Sequence, residues 1–273
     1  MSLARTRPGT RAFCAALIWA AVGLSSLATQ GQAACRQALV IALDVSGSVD
    51  EAEYVLQLAG LATALENPAV QEALFAMPDA PVWLFVFEWS SGRYQRDIVD
   101  WTALASAADL ARVSAQLRLW RRAPAPESTG IGAALQYAAG VFTRGPFCWR
   151  NTLDVSGDGK NNDWPVPRDV LESGILEPVT INGLIIGQEL FRGDDERAAS
   201  VAELSAYYSA NVIRGPGAFV EVALGYEDYA NAMTRKLLRE LNAPPMGALP
   251  PQTAPQRRAV MGLRRAAFGG AGQ

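Results

Sequence analysis

The sequence predicts an α/β fold: a doubly wound, mostly parallel six-stranded sheet with one antiparallel edge strand. Three observations carry this. Short apolar runs alternate along the chain with segments of helical periodicity, the pattern of a sheet covered by helices. The run Ala38-Leu39-Val40-Ile41-Ala42-Leu43 is continuously apolar rather than alternating, as expected of a strand buried on both faces. The short link Ser90-Ser91-Gly92 reads as a hairpin, which makes the segment after it antiparallel to the one before.

In chain order, strands are expected near 38–44, 82–88, 94–100, 151–156, 179–186 and 218–224. The first helix is expected over Glu51–Asn67, where Tyr54, Leu58, Leu61 and Leu65 recur at helical spacing behind the cap-like Asp50. Further helices are expected at 69–77, 105–118, 129–143, 195–210 and 226–241. Pro165 and Pro167 leave room only for a short helix near 167–173. No internal repeat of solenoid period is present.

The first 33 residues read as an address. Arg5, Arg7 and Arg11 form a basic start, Ala15–Leu27 is an apolar run too short to span a bilayer comfortably, and Gly31-Gln32-Ala33 supplies small residues before a cut. This is a bacterial-type export signal with cleavage expected after Ala33; an uncleaved anchor is the alternative. Gln32-Ala33-Ala34 before Cys35 lacks the apolar residue of a lipoprotein signal, and the start has no Arg-Arg pair for twin-arginine export. A periplasmic or secreted protein is implied, with no stable membrane insertion after cleavage.

The whole chain has 24 basic and 27 acidic residues. Three Arg and no acids leave with the signal, so the mature chain has 21 basic against 27 acidic, a net of −6. No nucleic-acid footprint is visible in that balance. About 240 residues suffice for one sizeable domain, expected over 34–241, plus a tail over 242–273. The tail from Asn242 holds five Pro, four Arg and no acid, and reads as a flexible extension.

The chemistry concentrates where strands end. Asp44-Val45-Ser46-Gly47-Ser48 places one carboxylate and two hydroxyls at the exit of the first strand, and Ser156-Gly157-Asp158-Gly159 makes a second oxygen-rich strand end. Ser128-Thr129-Gly130 opens a helix between them. Taken alone, the first pentapeptide could be a Ser-capped turn and Thr129 a helix cap. Sheets of this class bind ligands beyond the carboxyl ends of their strands, near the point where strand order reverses.

Together these segments resemble the von Willebrand factor A family, whose metal-ion-dependent adhesion site reads Asp-x-Ser-x-Ser, then a distant Thr, then a distant Asp before Gly. The matching positions are Asp44, Ser46, Ser48, Thr129 and Asp158, and the resemblance runs from about Ala38 to Leu241. The wording Ala42–Asp50 with Asp154–Gly159 is similar to a bacterial exported subgroup of that family with no assigned function. The resemblance implies the Rossmann-like von Willebrand factor A fold and a divalent cation, Mg²⁺ first, with Mn²⁺ or Ca²⁺ as alternatives. Ser46 and Ser48 would bind it directly, Thr129 directly or through water, and Asp44 and Asp158 directly or through the waters they hold. A vacant coordination position would accept an Asp or Glu carboxylate from a partner protein.

It also implies a disulfide. Cys35 and Cys148 are the two cysteines left after the signal, in what should be an oxidising compartment. Cys35 precedes Asp44 by nine residues and Cys148 precedes Asp158 by ten. The family's strand order makes their strands neighbours, so both sulfurs would lie at one end of the sheet, opposite the metal.

Several nearby residues have two readings. Asp50 is either a helix cap or part of an acidic rim. Asn161, Asn162 and Asp163 are turn formers or shape the partner surface. Trp120, between Arg118 and Arg121-Arg122, either lies buried under the Thr129 loop or is exposed as an interface anchor. Asp154-x-Ser156-x-Asp158-Gly159 imitates the start of a calcium-hand loop, but its twelfth position is Pro165, which cannot supply the bidentate acid. The competing function is a phosphatase-like hydrolase with Asp44 as nucleophile. Such enzymes place a second Asp two residues on, where this chain has Ser46. With no His in the chain, Ser-His and His-zinc chemistries are excluded. The expectation is therefore a binding module, not an enzyme.

Overall fold

The structure, a computed structural model, describes residues 34–187 and 194–242. The export signal expected over 1–33 and the tail beyond Asn242 lie outside the described residues. The apolar run forms β1 (Gln37–Asp44), buried at every position. It is followed by α1 (Glu51–Glu66), α2 (Pro68–Phe75), β2 (Val82–Trp89), β3 (Gln95–Leu104), α3 (Ala107–Leu119) and α4 (Ile131–Thr143). Then come β4 (Asn151–Gly157), α5 (Pro167–Glu172), β5 (Val179–Ile186), α6 (Asp194–Asn211), β6 (Val220–Ala223) and α7 (Tyr229–Leu241).

The six strands lie in the order β3-β2-β1-β4-β5-β6, and only β3 runs antiparallel to its neighbour. The hairpin turn closes through Ser90 N–H to Tyr94 O and Tyr94 N–H to Ser91 O. Strand β3 runs four residues further than expected, to Leu104. The expected helix over 226–241 begins instead as a single 3₁₀ turn, Tyr226–Asp228.

Two-sided burial explains the apolar runs. Along β1, Leu39, Ile41 and Leu43 face a core closed by α1, α2, α3 and α7, while Val40 and Ala42 face one closed by α4, α5 and α6. Side chains alternate along a strand, so each run must be apolar throughout to serve both cores. Below β1 and β4, Cys35 and Cys148 form a disulfide with Cα atoms 4.5 Å apart, as expected.

Asp50 proves to be a cap. Its Oδ1 accepts from Glu53 N–H at 2.8 Å, and its own N–H donates to Glu53 Oε2 at 2.8 Å. This reciprocal pair satisfies two helix-end donors and commits the carboxylate to the helix start. Strand order reverses between β1 and β4, so the loops leaving those two strands flank a crevice at the top of the sheet.

Candidate functional site

Asp44 is the last residue of β1 and is fully buried. Its Oδ1 accepts from Ser46 N–H at 2.8 Å, while Oδ2 is buried with no hydrogen-bond partner. Gln57 of α1 holds the main chain here, its Nε2 donating to Asp44 O at 3.0 Å. Burial pushes the Asp44 carboxyl up to about 8, the nearby charge of Asp158 adds to the rise, and the Ser46 hydrogen bonds oppose it.

The other four motif residues join Asp44 in one cluster. Thr129 Oγ1 donates to Ser46 Oγ at 3.3 Å, Ser46 Oγ and Ser48 Oγ lie 3.3 Å apart, and Ser48 Oγ donates to Asp158 Oδ1 at 2.6 Å. Asp44, Ser46, Thr129 and Asp158 are buried, and Ser48 is exposed. The cluster therefore has one wet edge, on the Ser48 side. Its donors are two carboxylates and three hydroxyls, all hard oxygens. Among the described residues no group of three or more His, Cys, Asp or Glu could hold a metal, so any cation here would depend on the hydroxyls.

Three loops are stacked to produce this geometry. Helix α4 starts at Ile131 with Gly130 before it, so Thr129 is not the helix cap that its local sequence allows. Asn162 fixes it instead: Thr129 N–H donates to Asn162 Oδ1 at 2.7 Å, and Asn162 N–H returns a bond to Thr129 O at 2.9 Å. Ser128 Oγ and Gly92 N–H both donate to Asp163 Oδ2, each at 2.9 Å. Gly130 N–H donates to Ser90 O at 2.6 Å. A Cβ on Gly130 would fall 2.8 Å from the Ser91 carbonyl carbon, and one on Gly132 would overlap Pro165 O, so neither position admits another residue without moving a loop.

Asn161, Asn162 and Asp163 are thus the braces of the Thr129 loop. Trp120 also turns inward. Its Nε1 donates at 3.0 Å to Glu88 Oε2, beneath the cation of Arg96. Glu88 also accepts from Tyr54 at 2.6 Å, Tyr94 at 3.0 Å and Arg96 at 2.9 Å, a buried carboxylate saturated by four donors.

Two residues escaped sequence reasoning. Tyr208 of α6 and Tyr226 carry buried hydroxyls with no hydrogen-bond partner. Burial, then the charges of Asp44 and Asp158, push both phenols well up, so they stay neutral behind the cluster. Gly157 makes the space they share with Asp44. A Cβ there would lie 2.4 Å from Tyr208 OH and 3.0 Å from Asp44 Oδ2. In sequence, both tyrosines read as ordinary helix-face aromatics, with no signal that they approach Asp44.

The chain belongs to the family described as "Protein of unknown function (DUF1194)", whose model matches residues 34–245. No curated protein matches the chain. Among solved structures it is similar to proximal thread matrix protein 1 from the mussel byssus, with TM-score 0.52 and 12% identity over 77% of this chain and 48% of that one. A structure of that mussel protein with a zinc-occupied MIDAS motif, the metal-ion-dependent adhesion site, gives 0.51 and 14% over 76% and 48%. A von Willebrand factor type A protein from Catenulispora acidiphila gives 0.50 and 16% over 76% and 43%. The chain spans about half the length of these proteins. At such identities the likeness is one of fold: this is the Rossmann-like von Willebrand factor A fold.

Proposed function

We propose that this member of the family is an exported, divalent-cation-dependent protein-binding module. Residues 34–241 form its domain, 1–33 its export signal and 242–273 a flexible tail. Asp44, Ser46, Ser48, Thr129 and Asp158 hold the ion, which offers an open coordination position to an Asp or Glu carboxylate of a partner protein. The observation that carries this is Asp44 Oδ2, a fully buried carboxylate oxygen with no hydrogen-bond partner, on a residue whose Oδ1 is tied to Ser46 of the hydroxyl cluster. A buried carboxyl oxygen without a partner is costly, and a hard cation that displaced the proton burial retains there would remove the cost.

Two carboxylates balance a divalent ion and add no excess negative charge, so an open coordination position can still take a partner carboxylate as a ligand. The zinc-occupied motif of the mussel protein, on the same fold, supports a divalent ion. Mg²⁺ suits an all-oxygen set that retains waters, with Mn²⁺ or Ca²⁺ as alternatives. Gly157 and the neutral phenols of Tyr208 and Tyr226 keep bulk and charge away from the back of Asp44. Asn162 and Asp163 hold Thr129 in register. Among the described residues no helix is long and apolar enough to cross a membrane. Ser46 stands where a phosphatase would place its acid/base Asp, and Asp44 is wholly buried, which favours binding over hydrolysis.

Calorimetry of residues 34–273 with Mg²⁺ and with Mn²⁺ tests the site. Saturable binding is expected for the wild type and none for the double variant Asp44→Ala, Ser46→Ala. Equal binding by both would remove the assignment. Metal-dependent turnover of a phosphate ester, abolished by Asp44→Asn, would replace it with the hydrolase.

A further inference from the structure

Beside the Thr129 loop lies an open pocket of about 560 Å³, lined by Trp164, Pro165 and Pro126 together with Ser91, Gly92, Arg93 and the carboxylate Asp163. Trp164 is 71% exposed, unusual for the largest apolar side chain. Its loop is nonetheless pinned at every step. Asp163 accepts from Gly92 N–H, Ser128 Oγ and Trp164 N–H, which holds its carboxyl below the usual range, so its charge is spent on the loop itself. Asn161 Oδ1 accepts from Gly132 N–H at 3.2 Å. Trp164 O sits over Gly92, where a Cβ would meet it at 2.7 Å. An aromatic ring held in solvent by a braced loop loses little freedom on binding, the property of an interface anchor.

Two charged groups line this pocket, Asp163, whose oxygens already accept from the loop, and Arg93. Arg93 is exposed and its guanidinium makes no hydrogen bond or ion pair among the described residues, whereas nearby Arg96 is tied to Glu88 and Lys160 to Glu203. On a mature chain of net −6, an arginine beside the Thr129 loop whose guanidinium has no partner among the described residues complements an acidic ligand, not a basic one.

We propose that this pocket is a specificity subsite for an acidic peptide segment of the partner: an aromatic or large aliphatic side chain packs on Trp164 and Pro165 while a second carboxylate pairs with Arg93. It rests on the metal-site reading above, which supplies the first carboxylate contact. The segment recognised is then a cluster of acids interrupted by a bulky apolar residue.

A peptide array with a fixed central Asp or Glu and randomised flanks, probed in Mg²⁺ and in EDTA, tests this. Wild type should select peptides with a bulky apolar residue and a second acid near the fixed one, and lose them in EDTA. Trp164→Ala should bind the best such peptide at least tenfold more weakly and lose the apolar preference. Arg93→Glu should lose the second-acid preference. Both variants should bind Mg²⁺ as the wild type does, since neither side chain belongs to the cluster. EDTA-sensitive selection that Trp164→Ala and Arg93→Glu leave unchanged would overturn this inference alone. Absence of any EDTA-sensitive selection would overturn the metal-site reading with it, and selection that survives EDTA but needs Trp164 would overturn the coupling of pocket to metal.

Discussion

Two pairs of buried carboxylates lie along β4 and its exit, and they are neutralised in opposite ways. The inner pair, Asp154 of β4 and Glu240 of α7, encloses its own cation: Lys236 Nζ lies 3.1 Å from Asp154 Oδ1 and 2.5 Å from Glu240 Oε1, with all three side chains at or near zero exposure. Asn182 Nδ2 adds a bond to Glu240 Oε1 at 2.6 Å. The outer pair is Asp44 and Asp158. There the charge that acts on Asp44 is that of Asp158, of the same sign, and Asp44 Oδ2 has no hydrogen-bond partner. Lysine fills one gap between strand and helix; the other is lined with small hydroxyls and opens to solvent at Ser48. The inner pair holds its own cation, although Asp154 Oδ2 and Glu240 Oε2 accept no hydrogen bond, while the charge felt by Asp44 in the outer pair is one of its own sign.

Removing the internal cation should have the largest effect. Lys236→Met keeps most of the side-chain volume but leaves Asp154 and Glu240 buried without it. A loss of about 3–5 kcal/mol is expected in urea unfolding, the range for breaking a buried pair from one side. Asp44→Asn, made at the outer pair, should leave the metal-free protein no less stable. If Lys236→Met costs as little as Asp44→Asn, the two pairs do not differ in the way described.

Supplying the external cation should come next. At a Mg²⁺ concentration one hundred times its dissociation constant, the wild type should gain about 2.7 kcal/mol. Asp158→Ala should abolish that gain, and Lys236→Met should retain it, because the inner pair takes no part in holding the ion. Thermal unfolding with and without EDTA reads both.

The effect that is smallest per step of the experiment is in pH. Burial raises Asp154 to about 7 although Lys236 lowers it, and Glu240 adds to the rise. An unfolded Asp titrates near 4. A carboxyl whose folded value is the higher contributes stability that is full below about 4 and is lost as pH rises towards about 7. Asp154 should therefore cost the wild type at most about 1.4 kcal/mol per unit across that window, beside a like slope from Asp44, which burial raises to about 8. Asp154→Asn should reduce the slope, leaving the share of Asp44, while Lys236 and Glu240 keep their own pairing. A slope identical in the two proteins would place the titrating group elsewhere.

Much of the candidate site was legible because its donors follow strands directly. Asp44, Ser46, Ser48 and Asp158 sit at the ends of apolar runs that had to be strands. Asp50 had two readings, cap or acidic rim, and the reciprocal bonds with Glu53 decided for the cap. The placement of Thr129 was not, since Gly130 beside it also suits a helix start, and only the bonds from Asn162 bring it to Ser46. Trp120 had two readings because the flanking arginines favour exposure, whereas Glu88, its actual partner, belongs to another strand. Lys236 gave no signal: in Thr234-Arg235-Lys236-Leu237 it reads as a solvated helix charge.

Local physics thus determined from sequence alone what depends on neighbours in the chain: the buried strands, the amphipathic helices, the hairpin and the oxygen-rich strand ends. Tertiary structure decided which polar groups meet. Asp44 finds Asp158 and Tyr208, Lys236 finds Asp154, and Trp164 is held outward by Asp163 and Gly92. Periodicity records only whether a side chain faces the core. A buried charge is tolerable only through its partner, and that partner comes from a segment distant in sequence which the closed sheet brings within a few ångströms.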